Sequence, residues 1–177
     1  MSAPARLLRT LWEAPGRAAR PALPPGLRAL YGGDLALPRR PAPYVYANFV
    51  ASADGVVSYS LPGRAGGGTV SGGDRGDRFT MGLLRALADA VIVGGSTLRA
   101  AGRRALWTPG FTFPAAAAGF RRLRQAHGLA PAPLLVVVSA SGLLPLDYDV
   151  FHAPGARVLV LTSPGGAAAL AAGARPA

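Results

Sequence analysis

Four short runs carry the side chains that could do chemistry, and each follows an apolar stretch. Gly94-Gly95-Ser96-Thr97 follows Val91-Ile92-Val93, Ser139-Ala140-Ser141-Gly142 follows Leu134 to Val138, and Thr162-Ser163-Pro164-Gly165-Gly166 follows Arg157 to Leu161. The fourth, Ser52-Ala53-Asp54-Gly55, follows Tyr44 to Val50. In the first run two glycines let the backbone turn tightly and approach a ligand. Ser96 and Thr97 then offer hydroxyls and backbone N–H groups where a helix start carries partial positive charge. Such a turn favours phosphate. A strand-turn-helix with two glycines also builds ordinary crossovers, and Ser, Thr and Gly cap helices in many proteins. Recurrence at three strand ends favours the binding reading. In a parallel sheet Ser96, Thr97, Ser139, Ser141, Thr162 and Ser163 line one edge, a polar rim suited to the phosphates and ribose of a nucleotide.

Two further residues stand out. Ser52-x-Asp54-Gly55 reads as a turn, since Asp-Gly is a favoured turn dipeptide, or as a hydroxyl and a carboxylate delivered to the sheet edge. Arg85 sits in a helical stretch between leucines, where it reads as a solvated arginine near the helix end. His127 and His152 are far apart in presumed loops and there is no cysteine, so no metal site is expected and thiolate chemistry and disulfides are excluded.

Composition bounds the rest. The chain has 177 residues, enough for one domain with a real core, and a formal charge of +11. All 19 basic residues are arginine, so the charge reflects a codon bias as much as a ligand. The arginines are scattered and no aromatic residues interleave with them, which speaks against nucleic acid. A basic nucleic-acid-binding protein remains a reading that rests on charge alone. No apolar run reaches the roughly 20 residues of a membrane span, and no signal-peptide core is present. A soluble cytoplasmic protein is expected, with no membrane partner.

The elements that must position these runs follow from apolar periodicity. Residues 1–42 are rich in proline and arginine, with short amphipathic candidates at Arg6 to Glu13 and Leu27 to Tyr31, and read as a loosely packed leader. Tyr44 to Val50 is predicted as a strand. The glycine-rich stretch at 60–73 is predicted as a mobile loop. Asp74 caps a helix over Arg75 to Ala88 with Phe79, Leu83, Leu84 and Leu87 as its buried stripe. Val91 to Val93 fits a strand covered on both faces. Ala115 to His127 is predicted as a helix, basic on its outer face, followed by buried strands at Leu134 to Val138 and Arg157 to Leu161.

The order of these motifs resembles a known family. Ser52-x-Asp54-Gly55, then Val70-Ser71-Gly72, then Leu83-Leu84-Arg85-Ala86-x-x-Asp89-Ala90-Val91, then Val93-Gly94-Gly95-Ser96-Thr97-Leu98-Arg99 looks like the riboflavin-biosynthesis pyrimidine reductases. These are the reductases found alone or as the C-terminal half of a bifunctional deaminase-reductase, and they are relatives of dihydrofolate reductase. The resemblance covers roughly Tyr44 to Ser163. It implies an α/β, dihydrofolate reductase-like fold, with a mostly parallel sheet flanked by helices, over residues 43–166. It also implies NADPH as cofactor and reduction of the ribosyl group of 5-amino-6-(5-phosphoribosylamino)uracil to ribityl. By position, Gly94, Gly95, Ser96 and Thr97 are implied to bind the cofactor phosphates. Ser139 and Ser141 are implied near the adenosine 2'-phosphate, and Val50, Ala51 and Thr69 near the nicotinamide. Arg85 is implied to bind the substrate phosphate, and Asp54 is the candidate for proton handling. Holding donor and acceptor atoms about 3 to 3.5 Å apart is then the main task of the protein.

Three departures qualify the resemblance. Ala101 stands where family members carry an acidic residue, and Arg103-Arg104 where a proline or aromatic residue is usual. After Gly166 comes an Ala-rich tail over 167–177, without the family's later phosphate loop and strands. The sheet is therefore expected to lack its later strands and to expose an apolar face. The alternatives are a truncated nucleotide-binding remnant without activity, and a dihydrofolate reductase-like enzyme with another substrate. A homodimer is implied by family habit alone.

Overall fold

The computed structural model describes residues 6–9, 11, 23–35, 43–59 and 67–173. In chain order its elements are α1 (Pro25–Tyr31), α2 (Gly67–Val70), α3 (Arg75–Leu87), β1 (Ala90–Gly94), α4 (Gly95–Ala101) and α5 (Pro109–Thr112). A 3-10 turn over Pro114–Ala116 leads into α6 (Ala117–Ala126), then β2 (Leu134–Val138), α7 (Asp149–His152), β3 (Val158–Leu161) and α8 (Pro164–Ala171). The three strands form one parallel sheet in the order β1-β2-β3. Ala90 pairs with Leu134 and Gly94 with Val138, while Leu135 pairs with Val158 and Val138 with Leu161. The ladders run in register, so all three strands finish at the same edge. The architecture is α/β and consistent with the dihydrofolate reductase-like expectation, in a small sheet.

Two apolar clusters build the core. Leu98, Trp107, Leu135, Val137, Leu144 and Val150 cover one face of the sheet, with Val91, Val93, Val158 and Val160 packed against them. The second lies among the helices, where Phe79, Leu83 and Ala86 of α3 meet Phe120 and Leu123 of α6 and Leu27 of α1. Phe79 makes an edge contact with Phe113 at 5.5 Å between ring centres and stacks on Phe120 at 6.1 Å. The proline-rich leader thus contributes to the core, because Leu23 and Leu27 are 2% and 1% exposed. Asp34 secures that stretch by accepting from Leu23 N at 2.7 Å and pairing with Arg28 at 2.8 Å.

Several sequence expectations are corrected. The opposite sheet face is open over the outer strands and the strand ends: Ile92 is 64% exposed, and Val138, Leu159 and Leu161 are about half exposed, while Val136 between Ile92 and Leu159 is buried. Val91 to Val93 is therefore a strand covered on one face, because α4 and the cluster around Leu98 lie on one side alone. An exposed apolar face is present, as the sequence predicts. Tyr44 to Val50 forms no strand. Its Tyr46 is taken up instead by α3, where the phenol donates to Leu84 O at 2.6 Å, while Val45 and Phe49 remain 80% and 78% exposed. Arg6 to Arg9 has no helix, and the rest of that candidate lies almost wholly outside the described residues. In the glycine-rich stretch, residues 60–66 lie outside the description. The remainder is a helical turn, with Ser71 N on Gly67 O and Gly73 N on Gly68 O leading into the Asp74 cap.

The end of α3 shows what the sequence did not reveal. The last carbonyls of a helix have no intrahelical partner. Here Tyr46 takes Leu84 O, while Arg124 of α6 donates through Nη1 to Arg85 O and Ala86 O at 3.2 Å and to Ala88 O at 2.8 Å. Arg124 Nε also reaches Ala130 O at 2.6 Å. A cation at a helix C-terminus is favourable. Arg121 and Arg122 make the outer face of this helix basic, as expected, while Arg124 is 2% exposed and faces inward. Ala88 and Asp89 pass directly into β1, so this clamp sets where β1 begins.

Candidate functional site

The three strand ends converge as a parallel sheet requires. Gly94 closes β1, and Gly95 opens α4 so close to β2 that a Cβ there would lie 3.3 Å from the Ser139 Cβ and Oγ. A side chain at that crossing would require Ser139 and Leu144 to shift by a few tenths of an ångström. Ser139 is buried, and its backbone N–H donates to Leu161 O at 3.0 Å, which ties the β2 end to β3. Thr162 Oγ1 and Ser163 Oγ both donate to Ala140 O, at 3.4 and 2.7 Å, and Ser163 Oγ caps α8 by accepting from Gly166 N at 3.0 Å. Gly142, at φ +67°, and Gly166 then pack backbone against backbone.

The predicted rim divides into two kinds of group. Ser139, Thr162 and Ser163 are engaged in holding strand ends together, and Ser141 Oγ accepts from Leu143 N at 3.3 Å. Ser96 and Thr97 are exposed at the start of α4, beside Gly94. The side chains of the rim are hydroxyls, with no carboxylate among 94–97, 139–142 and 162–166, so the donor set suits an anion. Arg99, which the sequence reading did not single out, adds an exposed guanidinium whose Nη1 donates to Leu143 O at 3.2 Å. Its signal lay in the motif, two residues beyond Thr97. The rim therefore joins free hydroxyls, first-turn N–H groups and one cation, a combination that can hold dinucleotide phosphates.

The other expected site residues lie apart from this rim. Arg85 is half-buried on α3, and its Nη1 donates to Thr112 Oγ1 of α5 at 2.7 Å. Burial pushes its guanidinium down to about 10, which still leaves it cationic at neutral pH. Its helix end lies near the start of β1, at the opposite end of that strand from Gly94. Val50 packs near Gly67, so Val50 and the turn carrying the exposed Thr69 are brought together, and Ala51 is exposed beside them.

Asp54 is corrected. Ser52 Oγ donates to its carboxylate at 2.5 Å, Gly55 N donates to Ser52 O at 2.9 Å, Ser52 N donates to Val56 O at 3.0 Å, and Val56 N donates back to Ser52 Oγ at 3.1 Å. The Ser52 hydroxyl holds the Asp54 carboxyl below its ordinary range, and the group is fully exposed. A proton donor at neutral pH needs the opposite shift. Asp54 organises a turn.

The sequence profile of the RibD C-terminal domain matches residues 43–168, a span that takes in the Ser52 turn, α3 and all three strand ends. The chain belongs to the RibD C-terminal domain family. That membership gives it the reductase role of this family in riboflavin biosynthesis, and so an oxidoreductase character. No match is found among curated proteins or among solved structures. Among the described residues no helix is long and apolar enough to cross a membrane, and no three His, Cys, Asp or Glu side chains gather as a metal site.

Proposed function

We propose that this RibD C-terminal domain is an NADPH-dependent reductase that converts the ribosyl group of 5-amino-6-(5-phosphoribosylamino)uracil to ribityl, in the cytoplasm. The observation that supports it most is the convergence of three parallel strand ends on one carboxylate-free rim, where Ser96, Thr97 and Arg99 are exposed. Open α/β sheets bind nucleotides at that edge.

When bound, the cofactor supplies a hydride. The chain's residues then bind and orient. Ser96 and Thr97 donate hydroxyl and backbone hydrogen bonds to phosphate oxygens, with Gly94 and Gly95 keeping the approach open. Ser139 and Ser141 sit beside them on the β2 end, and Arg99 offers a bidentate donor for a terminal phosphate. Val50, Ala51 and Thr69 form the side assigned to the nicotinamide, and Arg85 remains cationic for the phosphate of the substrate. Asp54 takes no part in proton transfer on this account, so the proton reaches the opened sugar oxygen from solvent.

Turnover tests the reading. Loss of the near-ultraviolet absorbance of NADPH that depends on the phosphorylated aminopyrimidine supports it. NADPH binding by the folded chain without turnover favours a nucleotide-binding remnant, and turnover with dihydrofolate alone favours a different reductase substrate.

A further inference from the structure

A cavity lies at the end of the sheet opposite the strand-end rim. It has a volume of about 350 Å³ and is walled by the start of α5, by α6, by the loop leading into β2 and by the loop before β3. Its sides are apolar, with Phe120, Pro109 and Pro131, but three arginines line it: Arg121, Arg124 and Arg157. No acidic residue lines it. Among the described residues the ion pairs are Arg28 with Asp34 and Arg103 with Asp147, so none of the three cavity arginines is in a salt bridge, and the carboxylate that acts on Arg124, Asp89, lies outside the lining. Arg124 is buried, and its Nε and Nη1 donate to backbone carbonyls, which carry no formal charge to cancel its own. Arg121 and Arg157 are exposed at the mouth. Three cations around one apolar hollow repel each other, and an anion seated there relieves that repulsion and gains charge-assisted hydrogen bonds.

We infer that this cavity binds a small organic anion, a phosphate ester or carboxylate with an apolar ring lying against Phe120 and the prolines. The volume falls within the range of small-molecule pockets. The site is separate from the strand-end rim by the length of β2, about 13 Å at roughly 3.3 Å per residue. It therefore stands independently of the reductase reading.

Titration of the full chain with phenyl phosphate, benzoate and inorganic phosphate, followed by calorimetry, tests this. Phenyl phosphate is expected to bind at one site, more tightly than inorganic phosphate, with affinity reduced at least about tenfold in the double variant Arg121→Gln/Arg157→Gln. Both side chains are exposed, so that variant is expected to keep its fold. Thr97→Val, on the distant rim, leaves this binding unchanged. Benzoate binding as tightly as phenyl phosphate identifies a carboxylate ligand, and weaker binding identifies a phosphate ester. Absence of binding by the folded chain, equal affinity in the double variant, equal affinity for inorganic phosphate, or loss of binding in Thr97→Val each overturns the inference.

Discussion

Replacing Arg124 by Met keeps a stem of similar length and removes the guanidinium donors. Four carbonyls then lose a partner: Arg85, Ala86 and Ala88 at the end of α3, and Ala130 before β2. A hydrogen bond from a charged group contributes about 1.5–3 kcal/mol. The bonds at 2.6 Å to Ala130 O and 2.8 Å to Ala88 O count most. The two at 3.2 Å share one nitrogen with the Ala88 bond and add little. Against this, the folded state no longer has to desolvate a guanidinium. The net loss is about 3 kcal/mol, which lowers the melting temperature by roughly 6–12 °C for a chain of this size. Arg122→Met on the exposed side of the same helix is the control, with an expected change within about 0.5 kcal/mol. Thermal and urea unfolding followed by far-ultraviolet circular dichroism measures both. An Arg124→Met variant within about 0.5 kcal/mol of wild type would refute the clamp. So would an equal cost at Arg122.

Three other perturbations follow from the same geometry. Burial, with Asp89 and Tyr44 adding to it, pushes the Tyr46 phenol up to about 12, so the folded form holds its proton above pH 10 where the unfolded chain releases it. The advantage of wild type over Tyr46→Phe, about 1 kcal/mol at neutral pH, should close as pH rises from about 10 to 12, and urea midpoints that keep a constant gap would contradict this. Gly166→Ala places a Cβ against Thr162 Oγ1 and Ala140 O, and is expected to cost about 1–3 kcal/mol and to loosen the joined ends of β2 and β3, read by unfolding and by amide exchange at Leu161 and Ser139. Asp54→Asn should leave the pH profile of turnover where it was, with kcat within about twofold, whereas loss of an acidic limb would return Asp54 to catalysis.

What the sequence made legible were the features with local causes. The Asp74 cap, the α3 stripe and the Gly94-Gly95 turn depend on residues near in the chain; the cap and the turn lie where they are predicted, and of the stripe Phe79 and Leu83 are buried while Leu84 and Leu87 are half-buried and Ala86 joins the core. The parallel strand ends were legible because the same pattern of apolar run, hydroxyl and glycine recurs. What escaped were decisions made across long separations. Tyr44 to Val50 has every local property of a strand, yet Tyr46 is drawn to a carbonyl 38 residues away. Arg124 looks like its neighbours Arg121 and Arg122, and only the position of the α3 carbonyls explains why it turns inward. Asp54 was legible as a turn from its Asp-Gly dipeptide, and its bond from Ser52 Oγ lies within that turn.

The central claim is that the strand-end rim holds the dinucleotide phosphates. Titrating the chain with NADPH, followed by cofactor fluorescence, tests it most directly, with Thr97→Val beside the wild type. The account predicts saturable micromolar binding, weakened roughly ten- to hundredfold when the Thr97 hydroxyl is removed and unchanged by Arg85→Ala. A folded chain that does not bind NADPH, or binds it equally well without that hydroxyl, would contradict it.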